Sequence, residues 1–259
     1  MDFSGKCVVV TGSNSGIGRA TALLFAKRGA NVLLHGRNQE RLQETVDECK
    51  RIGRQDAKFP SILGDVRNDE MLQKILATVN EQFERLDILV NNAGAVTGDE
   101  LQCGNMKNFD SHIDLLLKVP IHLSQMCLPM LEKYKGNIVN VSSIWSTCPA
   151  PGFSYYCIAK AGLDMFTKCA ALEYGQKGVR VNSINPGYVP TNVMRRAIER
   201  EITDKEMDEI FEECAKMIVH IASDDASMLN GHCLVHDGGV SLTAIRKTTL
   251  ERIAEVAQR

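Results

Sequence analysis

The sequence carries almost no net charge, no long apolar run and no paired-cysteine motif. Lys and Arg number 30 against 32 Asp and Glu, a formal net charge of −2. No segment is strongly basic, so nucleic acid is not an expected partner. No apolar stretch reaches bilayer-spanning length, so no membrane association is expected. The opening residues, Met1-Asp2-Phe3-Ser4-Gly5-Lys6, lack the apolar stretch of a signal peptide. The nine cysteines are scattered, with no Cys-x-x-Cys pair. That pattern reads as reduced thiols in a cytoplasmic compartment rather than a disulfide framework. Metal-ligand spacing is missing too. His232 and His236 are four apart, but they lie in a strand-like stretch with no further ligand, so no metal is expected.

What is present is an alternation of short apolar runs and amphipathic stretches. At 259 residues and 44% hydrophobic, the chain suits one globular domain with a large core. Strands are predicted at Lys6–Val10, Asn31–Leu34, Lys58–Leu63, Ile88–Val90, Asn137–Val141, Val179–Ile184 and Leu234–His236. Helices are predicted at Ile17–Lys27, at Asn38–Arg51, from a cap at Asp69 to about Phe83, and from about Asn108 to Tyr134. Two more follow at Tyr155–Tyr174 and Thr203–Ala222, the last capped by Thr203 or Asp204. The strands are continuous rather than alternating, which implies helices on both faces of a parallel sheet. The fold class is therefore α/β, a single domain with a doubly wound, seven-stranded parallel sheet. Residues 1–240 form that domain. Residues 241–259 read as a C-terminal helical extension with Leu250, Ile253 and Val256 on one face.

Tyr156 and Lys160 stand one helical turn apart, thirteen residues after Ser143. A phenol with a pKa of about 10 is a poor acid at neutral pH, and a cationic neighbour stabilises its anion. The i, i+4 spacing places both side chains on one helix face. A serine hydroxyl can then hold a carbonyl or alcohol oxygen while the tyrosine moves the proton. Alone, Tyr-x-x-x-Lys is a weak pattern that chance surface pairs also produce.

Thr11-Gly12-Ser13-Asn14-Ser15-Gly16-Ile17-Gly18 lies between the first strand and the first helix. Glycines there let the backbone approach a pyrophosphate resting on the helix N-terminus. The end of the second strand discriminates between cofactors. An acid there would bind an adenosine 2′-hydroxyl and repel a 2′-phosphate. His35-Gly36-Arg37-Asn38 contains no acid, and Arg37 can pair with a phosphate. The expected cofactor is NADP(H) in preference to NAD(H); the alternative is an exposed arginine with NAD(H) accepted.

With these residues in hand, the chain resembles the short-chain dehydrogenase/reductase family in its branch of about 250 residues, which has a Rossmann-type fold. The matches run in order: Thr11–Gly18, Asp65, Asn91–Gly94, Asn140-Val141-Ser142-Ser143, Tyr156/Lys160, Asn182, Pro186–Thr191 and Asp237-Gly238-Gly239. The resemblance implies hydride transfer between a nicotinamide and a carbonyl or alcohol. It makes Tyr156 the general acid/base, Lys160 the residue that lowers its pKa and binds the nicotinamide ribose, and Ser143 the residue that orients substrate. Ser142 reads as structural. The implied cofactor set is Gly12, Ser15, Gly16, Ile17, Gly18, Arg37, Asp65, Val66, Asn92, Ala93, Gly94, Tyr156, Lys160, Pro186, Gly187, Val189 and Thr191. Asp65-Val66 would meet adenine, and Thr191 the carboxamide. Family members are commonly dimers or tetramers, here through helices near 108–134 and 155–174.

Two departures stand out. The family's asparagine in the long helix aligns with Leu116, and its glycine with Val119. In the family, that asparagine accompanies a helix break whose freed carbonyl binds a water linked to the lysine. Pro120 lacks an N–H and cannot bond the Leu116 carbonyl, so the break is expected to persist without the asparagine. The segment between Pro186 and Asp237 is also short, which predicts a reduced lid. Candidate substrate-pocket residues are Trp145, Cys148, Phe153, Tyr188, Val193 and Met194; each also fits ordinary packing. Their apolar character favours a neutral, largely apolar carbonyl substrate. The alternative function is a cofactor-binding regulatory protein of the same fold that has lost turnover.

Overall fold

The computed structural model describes residues 1–187 and 203–242. Seven strands form one sheet in the order β3-β2-β1-β4-β5-β6-β7, every neighbouring pair parallel. They are β1 (Cys7–Val10), β2 (Asn31–Gly36), β3 (Ser61–Leu63), β4 (Ile88–Asn91), β5 (Asn137–Val141), β6 (Arg180–Pro186) and β7 (Cys233–His236). The helices are α1 (Gly16–Lys27), α2 (Gln39–Ile52), α3 (Asp69–Phe83), α4 (Met106–Ile113), α5 (Val119–Tyr134), α6 (Ser154–Gly175) and α7 (Asp204–Ala222). The chain leaves β3 at one edge and re-enters beside β1 as β4. That reversal opens a crevice at the carboxyl ends of β1 and β4, where ligands bind in such sheets.

Side chains of successive strand residues point to opposite faces, so one strand feeds two cores. Val8 and Val10 pack with Phe25 of α1, Val46 of α2 and Ile218 of α7. Val9 packs on the other face with Ile75 of α3, Leu123 of α5 and Ala170 of α6. Burial on both faces is why the strands read as unbroken apolar runs. Among the described residues no helix is long and apolar enough to cross a membrane.

Some boundaries differ from those expected. The third strand was expected from Lys58 and begins at Ser61. The carbonyls of Lys58 and Pro60 still accept from Val32 and Leu34, but Pro60 has no N–H to return to a ladder. Asn68, not Asp69, holds the cap position of α3; Asp69 is its first residue, where its charge complements the helix dipole. The long helix expected from Asn108 starts at Met106, with Asn105 accepting from the Lys107 N–H. It is also interrupted by a π-helical segment, Asp114–Lys118. Thr203 caps α7 in a capping box with Glu206. The expected terminal helix lies outside the described residues.

Candidate active site

The glycine turn after β1 is packed against the turn after β4. Thr11 Oγ1 accepts from the N–H groups of Asn92 and Ala93, both at 3.0 Å. Asn92 Nδ2 donates to the Thr11 and Gly12 carbonyls at 2.8 and 3.1 Å. The approach leaves no room for side chains at the glycines. A Cβ on Gly12 would lie 2.9 Å from Ala93 Cα, and one on Gly18 2.3 Å from both Asn92 Nδ2 and the Gly12 oxygen. Gly12 and Gly16 also hold φ of +68° and +55°, a region that strains other residues.

His35, at the end of β2, ties the same turn from its other side. Its Nδ1 accepts the Gly12 N–H at 3.2 Å, so its Nε2 carries the proton and donates to the Gly64 carbonyl at 3.0 Å. The Ser13 N–H donates to the His35 carbonyl at 2.7 Å, and the His35 N–H to Ser13 Oγ at 2.9 Å. Burial lowers the His35 pKa below its ordinary value, keeping the ring neutral.

Beyond His35, Arg37 and Arg41 line the end of a cavity of about 710 Å³. Arg37 is largely exposed and 4.0 Å from Asp65. Asp65 is held by Arg67, whose hydrogen bonds bring its carboxyl down to about 2. Asn38 accepts from the Arg41 N–H at 2.9 Å, which fixes the start of α2 and with it the second guanidinium. Arg41 carries no signal of its own in the sequence, being one of many charged residues on α2.

The cavity runs from these arginines past Gly12, Ser15, Ile17, Asp65 and Val66. It continues along Asn92, Ala93 and Gly94 to Ser143, Trp145, Tyr156, Lys160, Pro186 and Gly187. It therefore crosses the carboxyl ends of β2, β1, β4 and β5, an extended path that suits a dinucleotide. Gly16 and Gly18 shape the turn without lining the cavity.

Ser143 follows β5 and caps a short 3₁₀ turn, Ile144–Ser146, its Oγ accepting the Trp145 N–H at 3.1 Å. Tyr156 and Lys160 come from the first two turns of α6. Lys160 is buried and its Nζ donates to the Val141 carbonyl at 2.6 Å, 5.6 Å from the Tyr156 ring centre. Burial pushes the Tyr156 phenol up to about 12, while a hydrogen bond with Ser143 acts the other way. Burial brings Lys160 down to about 8, against an upward pull from Asp164. Desolvation thus outweighs the lowering expected for the phenol from Lys160 alone.

Aromatic rings surround the phenol. Trp145 meets Tyr156 edge to face at 5.8 Å, and Phe153 lies behind Trp145 at 4.8 Å without itself lining the cavity. Cys148 does not line it either. His112 of α4 packs edge to face with Tyr156 at 6.3 Å. Its Nδ1 faces the Asn108 carbonyl at 2.7 Å and its Nε2 the Thr97 N–H at 3.3 Å, joining the post-β4 loop to α4. No sequence pattern marks His112, a single histidine within a helix, nor Phe211 of α7, which lines the cavity beside Gly16. Tyr188, Val189, Thr191, Val193 and Met194 lie outside the described residues.

Leu116 is buried in the π segment and lines the cavity. Here Val119 donates to the Asp114 carbonyl, five residues back. Pro120 stands in the first turn of α5 and has no N–H for the Leu116 carbonyl. A break in regular α-helix is therefore present where it was expected, with leucine in place of asparagine.

Residues 6–202 match the family model for short chain dehydrogenase. The chain belongs to that family. Among curated short-chain dehydrogenase relatives is the 3-oxoacyl-acyl-carrier-protein reductase of Thermotoga maritima, 33% identical over 249 residues, with 93% of this chain and 99% of that one covered. A Caenorhabditis elegans short-chain dehydrogenase/reductase of unknown function, solved with its cofactor, superposes with a TM-score of 0.82 at 34% identity, covering 93% of this chain and 96% of that one. The L-sorbose reductase of Gluconobacter frateurii, solved with NADPH and L-sorbose, gives 0.83 at 30% identity, with 93% and 98% covered. These short-chain dehydrogenases are oxidoreductases, and the alternative of a fold kept without turnover gains no support from them.

Proposed function

We propose that this chain is an NADP(H)-preferring oxidoreductase that interconverts a small, largely apolar carbonyl compound and its alcohol. One observation carries the reading: Ser143, Tyr156 and Lys160 share a cavity whose other end holds Arg37 and Arg41. A bound nicotinamide would supply or accept the hydride. The chain's own groups would manage everything else. Arg37 and Arg41 pair with a 2′-phosphate; Asp65 and Val66 meet the adenine; the turn from Gly12 to Gly18 passes the pyrophosphate at the start of α1. Asn92–Gly94 and Pro186-Gly187 flank the nicotinamide end, with Val189 and Thr191 assigned there by family resemblance.

During reduction Tyr156 donates its proton to the carbonyl oxygen, and during oxidation it removes the proton from the hydroxyl. Ser143 accepts the Trp145 N–H, which leaves its single hydroxyl hydrogen pointed at the Tyr156 phenol, from where it can turn to hold the substrate oxygen. Lys160 stabilises the phenolate by charge from a position fixed at Val141. Trp145, Val96 and Leu115 on the cavity wall favour an apolar substrate body. Tyr188 and Met194 are assigned to the same pocket from the sequence pattern, and Phe153 backs it through Trp145.

Exposed Ile158, Met165 and Leu172 fall seven residues apart on α6, a stripe that supports a homodimer or homotetramer. Nine unpaired cysteines suit a reducing, cytoplasmic setting. The test is NADPH and NADH oxidation against a panel of aldehydes, ketones, diones and quinones, read at 340 nm. Turnover with NADPH preferred supports the proposal; tight NADPH binding with no turnover on any class contradicts it.

A further inference from the structure

Behind the catalytic wall lies a buried polar cluster that the mechanism above does not use. Asp164 stands one turn after Lys160 on α6 and is only 6% exposed. Its Oδ2 accepts from Asn185 Nδ2 at 2.6 Å, and its Oδ1, 3.2 Å from Ser183 Oγ, shares that hydroxyl's single hydrogen with Asn185 Oδ1. Both donors belong to β6 and are almost fully buried. Asn185 is held in one orientation, since its Oδ1 accepts from Ser183 Oγ at 2.8 Å. That leaves Nδ2 to face Ser146 Oγ at 2.9 Å and the Ser143 carbonyl at 3.2 Å as well. A carboxyl group is costly to bury unless charge or hydrogen bonds compensate it. Here the hydrogen bonds come from Asn185 and Ser183; Asn185 also reaches the Ser143 carbonyl, and Lys160 stands one turn earlier on the same helix.

We propose that Asp164 is a positioning residue of the active site, which keeps Lys160 cationic inside the protein and, through Asn185, fixes the backbone that carries Ser143. The role rests on the function proposed above, because it matters through Tyr156. Among the described residues the Lys160 Nζ donates to a neutral group, the Val141 carbonyl, and to no carboxylate. The Asp164 charge is the influence that opposes its desolvation. Tyr156 and Cys157 are the titratable groups beside Lys160 on α6; on the elements that meet this helix, His112 of α4 packs on Tyr156, Cys233 of β7 reaches the Asp164 carbonyl, and Asp114 lies in the π segment. Asp114 is paired with exposed Lys118.

The test reads Lys160 directly and needs no turnover. In cofactor-free protein carrying ¹³Cε-lysine, the Lys160 signal is assigned by its loss in Lys160→Met and followed against pH. Removing the negative neighbour disfavours the ammonium, so the midpoint in Asp164→Asn is expected to fall by about one unit. Asp164→Ser is the second neutral variant and should move it the same way, while Asp164→Glu should hold it. Asn185→Ala should leave the midpoint in place and lower kcat/KM about tenfold through misplacement of Ser143. A folded neutral variant whose midpoint stays put, even with a lower melting temperature, would make Asp164 merely structural and overturn the proposal. If no substrate is turned over but the midpoint moves, the role of Asp164 stands and the assignment of function fails instead.

Discussion

His35 accepts the Gly12 N–H through Nδ1, and with Nε2 it bridges the cofactor turn to Gly64 at the end of β3. Protonation would place a second donor against the Gly12 N–H. The folded pKa is depressed below the 6.5 of a free imidazole, so the unfolded chain binds the proton first as pH falls. The stability that neutral His35 contributes is full above about pH 6.5 and is lost as pH drops from there through the folded value. Melting temperature followed from pH 7.5 to 5 should fall more steeply in the wild type than in His35→Asn, which cannot titrate. NADPH affinity should weaken over the same window. Parallel curves for the two proteins would remove His35 from the account.

The two arginines at the cavity end should separate the cofactors. Arg37→Ala is expected to weaken NADPH binding about 10- to 100-fold, the range for losing charge-assisted hydrogen bonds worth about 1.5–3 kcal/mol. Arg41→Ala should act in the same direction. NADH affinity should change little in either variant, which fluorescence titration of both cofactors can read. Equal weakening for NADH would mean that the arginines do not meet a 2′-phosphate.

Gly18 offers a test of packing rather than charge. A methyl group there would meet Asn92 Nδ2 and the Gly12 oxygen at 2.3 Å, both held by hydrogen bonds. Gly18→Ala is expected to lower stability by about 1–3 kcal/mol, measured by urea denaturation, and to weaken cofactor binding with it. Gly152→Ala, where no atom lies within 4 Å of the added carbon, serves as a comparison in a loop of positive φ.

Most of this architecture was legible because burial on both faces of the sheet leaves a direct mark. Asn137–Val141 is a strand with the expected bounds, and Gly12, Gly16 and Gly18 punctuate the turn they were expected to make. Tyr156 and Lys160 could be placed on one helix face from spacing alone. A break in this helix was expected from the family resemblance and Pro120, but not its π form, since no local pattern distinguishes a π turn from an α turn around Leu116. His35, His112, Asp164 and Phe211 were illegible for a common reason. Each owes its place to a partner distant in sequence, such as Gly64 for His35 or Asn185 for Asp164, and only the folded chain brings them together.

Pro120 can be tested by restoring the missing donor. Pro120→Ala gives position 120 an N–H that can close on the Leu116 carbonyl and favour regular helix over the π segment. If that carbonyl takes part in relaying protons to Lys160, kcat should fall about tenfold while NADPH affinity is unchanged. An unaltered kcat would mean that the break has no part in turnover.

In the proposed reaction the Tyr156 phenol moves the proton during carbonyl reduction. The most direct measurement is steady-state NADPH oxidation by wild type and Tyr156→Phe on the best substrate, with NADPH affinity measured in parallel. Loss of one hydroxyl should reduce kcat by about 10²- to 10⁴-fold while cofactor binding is retained. A Tyr156→Phe enzyme that turns over at the wild-type rate would contradict the account.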